Sequence, residues 1–126
     1  LLEVTVTGAP AEEDASTVAR TVVASPLVKT AVYGADPNWG RVIAAAGRAG
    51  VDFDPDHVNL WMGDGTARIP LVSDGAIVVD LAKAKALMQG KKVVFFLDLA
   101  SGKAEATAWG CDLTEKYVEI NGRYTT

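Results

Sequence analysis

Leu2, Val4 and Val6 alternate with Glu3, Thr5 and Thr7 at the start of the chain. A period of two predicts a half-buried strand. Gly8-Ala9-Pro10 ends it and can open a helix, with Glu12, Glu13 and Asp14 favourably placed near the positive end of its dipole. Ala15, Val18, Ala19, Val22 and Val23 then fall on one helical face, and Ser25-Pro26 stops the run. Leu27 to Tyr33 is rich in β-branched residues and reads as a second strand, interrupted by Lys29. A helix capped by Asn38 follows, with Gly50 as its C′ glycine.

Strand patterns dominate the middle of the chain. Val58 to Met62 alternates, Gly63-Asp64-Gly65 is a turn, and a hairpin onto Ala67 to Val72 is expected. Asp74-Gly75 turns the chain into Ala76 to Val79, and Asp80 can cap a short helix from Leu81 to Gln89, ended by Gly90. Val93 to Leu97 is apolar at every position, as a central strand is. Ser101-Gly102 turns it into Ala104 to Trp109. Asp112-Leu113-Thr114-Glu115 resembles a capping box for a last helix with Leu113, Tyr117 and Ile120 on its apolar side. The expected order is β-α-β-α-β-β-α-β-β-α, without repeats. That is a single α+β domain with a mixed sheet and packed helices, its parallel crossovers early and a hairpin late.

Composition narrows the function. The chain has 126 residues, enough for one core, with 49% hydrophobic and 22% charged residues. Twelve lysines and arginines against 16 aspartates and glutamates leave a net charge of −4. This argues against nucleic acid, which requires a basic face. No apolar run reaches the roughly 20 residues of a membrane span. The single cysteine, Cys111, excludes an intrachain disulfide and is compatible with a reducing compartment. The strand pattern begins at the first residues without an initiator methionine, as in a fragment of a longer chain.

Candidate chemistry is sparse. His57 lies among Asp54, Asp56 and Asn59, but Asp54-Pro55-Asp56 reads as a surface turn and no metal site is expected. Cys111 precedes a helix start, which can lower a thiol pKa, although a small buried cysteine accounts for it as well. No nucleophile elbow, Walker loop or dinucleotide fingerprint is present. The densest stretch is Tyr33-Gly34-Ala35-Asp36-Pro37-Asn38-Trp39-Gly40-Arg41. With Asn38 as cap, Arg41 sits at the positive end of a helix dipole, at a cost of about 0.3–1 kcal/mol. An anion, structural or bound, is expected to offset it. The tail, Ile120-Asn121-Gly122-Arg123-Tyr124-Thr125-Thr126, has two readings: a docked end packing Tyr124, or a polar site lined by Asn121, the Thr126 hydroxyl and the terminal carboxylate.

Lys29 to Arg41, then Ala108-Trp109-Gly110-Cys111-Asp112-Leu113-Thr114, then Tyr124-Thr125-Thr126, resemble the bifunctional ornithine acetyltransferase/N-acetylglutamate synthase family of arginine biosynthesis. Glu3 to Ala9 fits too, so the resemblance spans the chain. It implies an enzyme made as one precursor that cleaves itself. The N-terminal threonine of the resulting β chain carries acetyl from N-acetylornithine to glutamate by a ping-pong acyl-enzyme route. An oxyanion hole on the α chain stabilises the intermediate, and no metal or organic cofactor is needed.

On this resemblance, residues 1–126 are the C-terminal domain of the β chain, without nucleophile or oxyanion hole. The family's substrate-binding asparagine and terminal threonine match Asn121 and Thr126. An asparagine amide suits the polar end of an α-amino acid, since it both donates and accepts. Gly122-Arg123 departs from the small-acidic pair expected there. The implied partners are N-acetylornithine, glutamate, the α chain and the rest of the β chain. The implied assembly is αβ heterodimers in a larger homo-assembly, in the cytoplasm. Arg41 is expected to pair with a structural carboxylate, Asp36 or the C-terminus. Two competing readings are a self-cleaving N-terminal-nucleophile amidohydrolase domain and a stand-alone small-ligand-binding domain.

Overall fold

The structure is a computed structural model and describes residues 1–110. The alternation at the start folds as β1 (Leu2–Ala9), with Leu2, Val4 and Val6 buried and Glu3, Thr5 and Thr7 half-buried. Helix α1 (Glu12–Ala24) buries Ala15, Val18, Ala19, Val22 and Val23, the five positions its periodicity marks. Helices α2 (Pro26–Tyr33) and α3 (Trp39–Gly47) follow. A single 3-10 turn, Pro55–His57, leads into β2 (Asn59–Gly63), β3 (Arg68–Ser73) and the short β4 (Ala76–Ile77). Helix α4 (Leu81–Leu87), β5 (Val93–Asp98) and β6 (Ala104–Gly110) complete the described elements. None of the helices among these residues is long and apolar enough to cross a membrane.

The α+β class with a mixed sheet holds, but one element changes type. Leu27 to Tyr33 lies in helix α2 rather than in a strand. The local reasons are visible. Ser25 caps it, its Oγ accepting from the Val28 N–H at 3.3 Å, and Pro26 supplies the preset φ of a first helical residue. Thr30 donates its hydroxyl to the Pro26 carbonyl at 2.7 Å, one turn back. Val28 and Ala31, three apart, are buried, which is a helical spacing. The β-branched composition therefore misleads where a cap, a proline and a helical spacing agree.

The six strands run in the order β4-β3-β2-β5-β1-β6. β1 pairs with β5 in parallel, Val4 opposite Phe95 and Val6 opposite Leu97. β2 lies antiparallel on the other side of β5, so β5 is internal, as its apolar run requires. The expected β2–β3 hairpin forms, with a bulge between Leu60 and Trp61. The expected late hairpin does not. β6 pairs antiparallel with β1, which lies between it and β5. The Ser101-Gly102 turn is instead an arch over the end of β1: the Leu99 N–H donates to Thr7 O at 3.0 Å and the Ser101 N–H to Gly8 O at 2.7 Å. A side chain at Gly102 would collide with the Ala9 carbonyl. With α2 in place of a strand, the parallel partner of β1 comes late in the chain.

Register divides the sheet into two faces. Leu2, Val4 and Val6 share a side with Val93, Phe95, Leu97, Leu60 and Met62. These join one cluster with Val18 and Val22 of α1, Val42, Ala45 and Ala46 of α3, and Ala84 of α4. Each large aliphatic or aromatic side chain so buried contributes about 1.5–3 kcal/mol. On the opposite side Thr5, Phe96 and Trp61 stand in register and half-buried. The expected last helix and Cys111 lie outside the described residues.

Candidate functional site

The dense stretch Tyr33 to Arg41 folds as a joint between α2 and α3. Helix α2 ends where Ala35 takes a left-handed φ of 52° and the Asp36 N–H reaches back to Ala31 O at 2.8 Å. Asn38 then caps α3 as its residue type predicts, its Oδ1 accepting from the Arg41 N–H at 3.1 Å. The Asn38 amide also donates to Asp36 Oδ2 at 3.4 Å. Trp39 packs against the core cluster, while Tyr33 projects outward, 69% exposed.

Of the two carboxylates expected for Arg41, Asp36 is not its partner, and the C-terminus lies outside the described residues. Among the described residues the Arg41 Nη1 donates to the Leu27 carbonyl at 3.0 Å. The guanidinium thus ties the first turn of α3 to the first turn of α2. Among the described residues it is a carbonyl dipole that helps to offset the unfavourable helix-dipole position. The described contacts at this joint cap one helix and clamp it to another. Two residues on from Leu27, Lys29 is only 4% exposed. In the sequence pattern this lysine reads as an interruption in a strand. Burying an ammonium is costly unless it is engaged, and Lys29 is not without a partner.

A depression of about 240 Å³ opens beside this joint, lined by Leu1, Val32, Tyr33, Met88, Gly90, Lys91 and Val93. The amino group of Leu1 donates to Lys91 O at 2.9 Å and the Val93 N–H to Leu1 O at 2.9 Å, so the start of the chain already runs along β5.

The histidine lies elsewhere. His57 Nδ1 is 2.9 Å from Asp74 Oδ1, and its Nε2 is 3.7 Å from Asp54 Oδ2. The hydrogen bond to Asp74 and then the charges of Asp74 and Asp54 raise its pKa above the ordinary 6.5. The surroundings form a clasp between two turns. The Asp74 N–H donates to Asn59 Oδ1 at 2.8 Å, and the Gly75 N–H donates to Val58 O at 2.9 Å. Gly75, at φ +77°, sits where any Cβ would strike the Asp56 backbone. Asp54-Pro55-Asp56 is therefore the surface turn its composition suggests. Its histidine is bonded to a carboxylate and to no hydroxyl or thiol among the described residues. In those residues no group of three His, Cys, Asp or Glu is placed to hold a metal ion.

Gly63-Asp64-Gly65 is likewise a turn. The Asp64 carboxylate accepts from the Thr66 N–H, the Thr66 hydroxyl and the Ala67 N–H, each at 2.9 Å. Those donors hold its pKa down at about 2. Asn121 and Thr126, the expected substrate-binding residues, lie outside the described residues.

The comparisons with known proteins cover the whole segment. A family model described as "ArgJ family" matches residues 1–126. The arginine biosynthesis bifunctional protein ArgJ of Thermotoga neapolitana is 52% identical over 127 residues, 100% of this chain and 32% of that protein. The glutamate N-acetyltransferase of Methanosarcina mazei is 49% identical over 128 residues, again 100% of this chain and 32% of its own length. The chain thus spans about a third of the curated relatives it matches. Among solved structures, the arginine biosynthesis bifunctional protein from Bacillus halodurans superposes with a TM-score of 0.84 at 38% identity, covering 98% of this chain and 57% of the solved one.

Proposed function

The chain belongs to the ArgJ family, and on that premise we propose that it is the C-terminal domain of the β chain of a glutamate N-acetyltransferase. In this reading the complete enzyme moves acetyl from N2-acetylornithine to glutamate in arginine biosynthesis, through an acyl-threonine intermediate and without a cofactor. The nucleophile and oxyanion hole come from the rest of the enzyme. This domain brings Asn121 and Thr126 to the substrate's polar end and the six-stranded scaffold that carries them. It works in the cytoplasm against the α chain and the rest of the β chain, as αβ heterodimers in a larger assembly.

The observation that carries the reading is the family match over residues 1–126, with relatives of that activity near 50% identity. The fold supports a scaffold role: the residues singled out at the α2–α3 joint are spent on capping and clamping helices.

The test is acetyl transfer by the full-length gene product, beside a version lacking Asn121 to Thr126. Labelled N-acetylornithine is the donor and glutamate the acceptor. Labelled N-acetylglutamate from the intact enzyme, with poor transfer by a truncation that still self-cleaves, is the expected outcome. Release of free acetate alone would favour an amidohydrolase, and no turnover of either kind a binding domain.

A further inference from the structure

The two sides of the sheet are built differently. The helices bury their apolar residues into a single cluster on the face of Val4, Phe95 and Met62. Their outward positions mix charge, with Glu12, Glu13, Arg20, Lys83 and Lys85 exposed, and apolar side chains, with Leu27, Tyr33 and Leu81 more than half exposed. The opposite face has a different centre. Trp61 and Phe96 stand in register on neighbouring strands, both half-buried. Arg68, exposed, lies over both rings, its Cζ 5.1 Å from the Trp61 centroid and 4.9 Å from that of Phe96. Beside it, a depression of about 220 Å³ is lined by Gly65, Thr66, Ala67, Arg68 and Phe96.

The charges on this face are unequally used. Lys92 pairs with Glu3 at 3.3 Å, and the same Glu3 oxygen accepts from Trp109 Nε1 at 2.9 Å. Arg68 makes ring contacts but neither an ion pair nor a hydrogen bond among the described residues. A guanidinium has five N–H donors in a planar fork that matches a carboxylate. Stacking on two aromatic rings preorganises that fork. Tryptophan and arginine at the centre of a patch are what protein interfaces concentrate.

We propose that this open face, centred on Arg68, Trp61 and Phe96, is where the part of the ArgJ polypeptide outside residues 1–126 docks, and that the docked surface brings a carboxylate to Arg68. The occupant follows from size and charge. This segment makes up 32% of the first relative and 57% of the solved relative's chain, so much of the protein must find a surface here. A second copy of the domain is the poorer occupant. A two-fold contact centred on Arg68 sets guanidinium against guanidinium, and like charges across an interface are costly. The proposal rests on family membership and coverage and is independent of acetyl transfer.

The test uses the full-length protein with p-benzoylphenylalanine in place of Phe96, irradiated as a mixture of isotopically light and heavy material. Cross-links from position 96 to a peptide outside residues 1–126 of the same protein are expected. Cross-links confined to residues 1–126, or joining position 96 to the same face of a second copy, would overturn the proposal. Oxidative footprinting needs no unnatural residue. Arg68→Glu removes a charge-assisted pair and is expected to raise Trp61 oxidation about tenfold, the equivalent of about 1.4 kcal/mol, while Trp39, half-buried against the helical core, keeps its wild-type rate. Arg68→Lys keeps the charge and loses the fork, and falls between. An unchanged Trp61 rate in Arg68→Glu with the Trp39 rate also unchanged would sink the idea. Should the Trp39 rate rise as well, the cross-link, made with Arg68 intact, decides.

Discussion

Phe95 and Phe96 are neighbours on β5 and lie in different worlds. Phe95 is 1% exposed and belongs to the apolar cluster beneath α1, α3 and α4. Phe96 is half-buried on the far face, against Trp61 and the Arg68 guanidinium. The first face is held by non-directional burial. The second and its rim are held by discrete contacts: Thr5 Oγ1 to Thr107 Oγ1 at 2.9 Å, Glu3 to Lys92 and Trp109, Asn59 Nδ2 to Asp98 Oδ2 at 3.2 Å, and His57 to Asp74. One face answers to volume, the other to charge, pH and salt.

Substitutions can break this contrast. Phe95→Ala leaves a cavity in the closed core and is expected to cost about 3–5 kcal/mol in urea unfolding, independent of pH and salt. Phe96→Ala gives up half-buried area and one cation–π contact and should cost about 1–2 kcal/mol. Equal losses at the two positions would mean that the open face is as closed as the core. Thr5→Val keeps the shape but strands the Thr107 hydroxyl, and a loss of about 1 kcal/mol is expected. A smaller effect still comes from Glu3→Gln. It weakens a partly exposed ion pair worth about 0.2–1 kcal/mol, and the difference from wild type should shrink between low and high salt.

The rim sharpens the comparison through pH. His57 has a folded pKa above 6.5, so its protonated form is favoured by folding. The stabilisation is therefore fully present below pH 6.5 and is lost as pH rises through the raised folded value. His57→Gln is expected to lower the unfolding midpoint at pH 5.5 and to leave it nearly unchanged at pH 9, whereas Phe95→Ala does equal damage at both. Since His57 is exposed, this is the smallest of the effects.

Much of the architecture was legible residue by residue. The β1 alternation, the five buried positions of α1, the Asn38 and Asp80 caps and the turns at Asp64 and Asp74 all stand as their local chemistry directs. The joint at Tyr33 to Arg41 was legible as a helix start, and the partner of its arginine was not. Leu27 lies far from Arg41 in sequence, and a backbone carbonyl carries no residue-type signature. Lys29 was equally opaque, since its burial depends on what α2 packs against.

What the chain alone determined is thus whatever a few consecutive residues settle among themselves: caps, turns, amphipathic faces and the apolar run of β5. Tertiary structure decided the rest. It fixed α2 as a helix by burying Val28 and Ala31, where β-branched composition pointed to a strand and the local signals of Ser25 and Pro26 pointed to a helix. It placed β1 between β5 and β6, where the chain order suggested a hairpin. It left Trp61, Phe96 and Arg68 together on an open face. Local propensities are fixed by neighbours along the chain. Strand order and the exposure of a face depend on partners separated by most of its length.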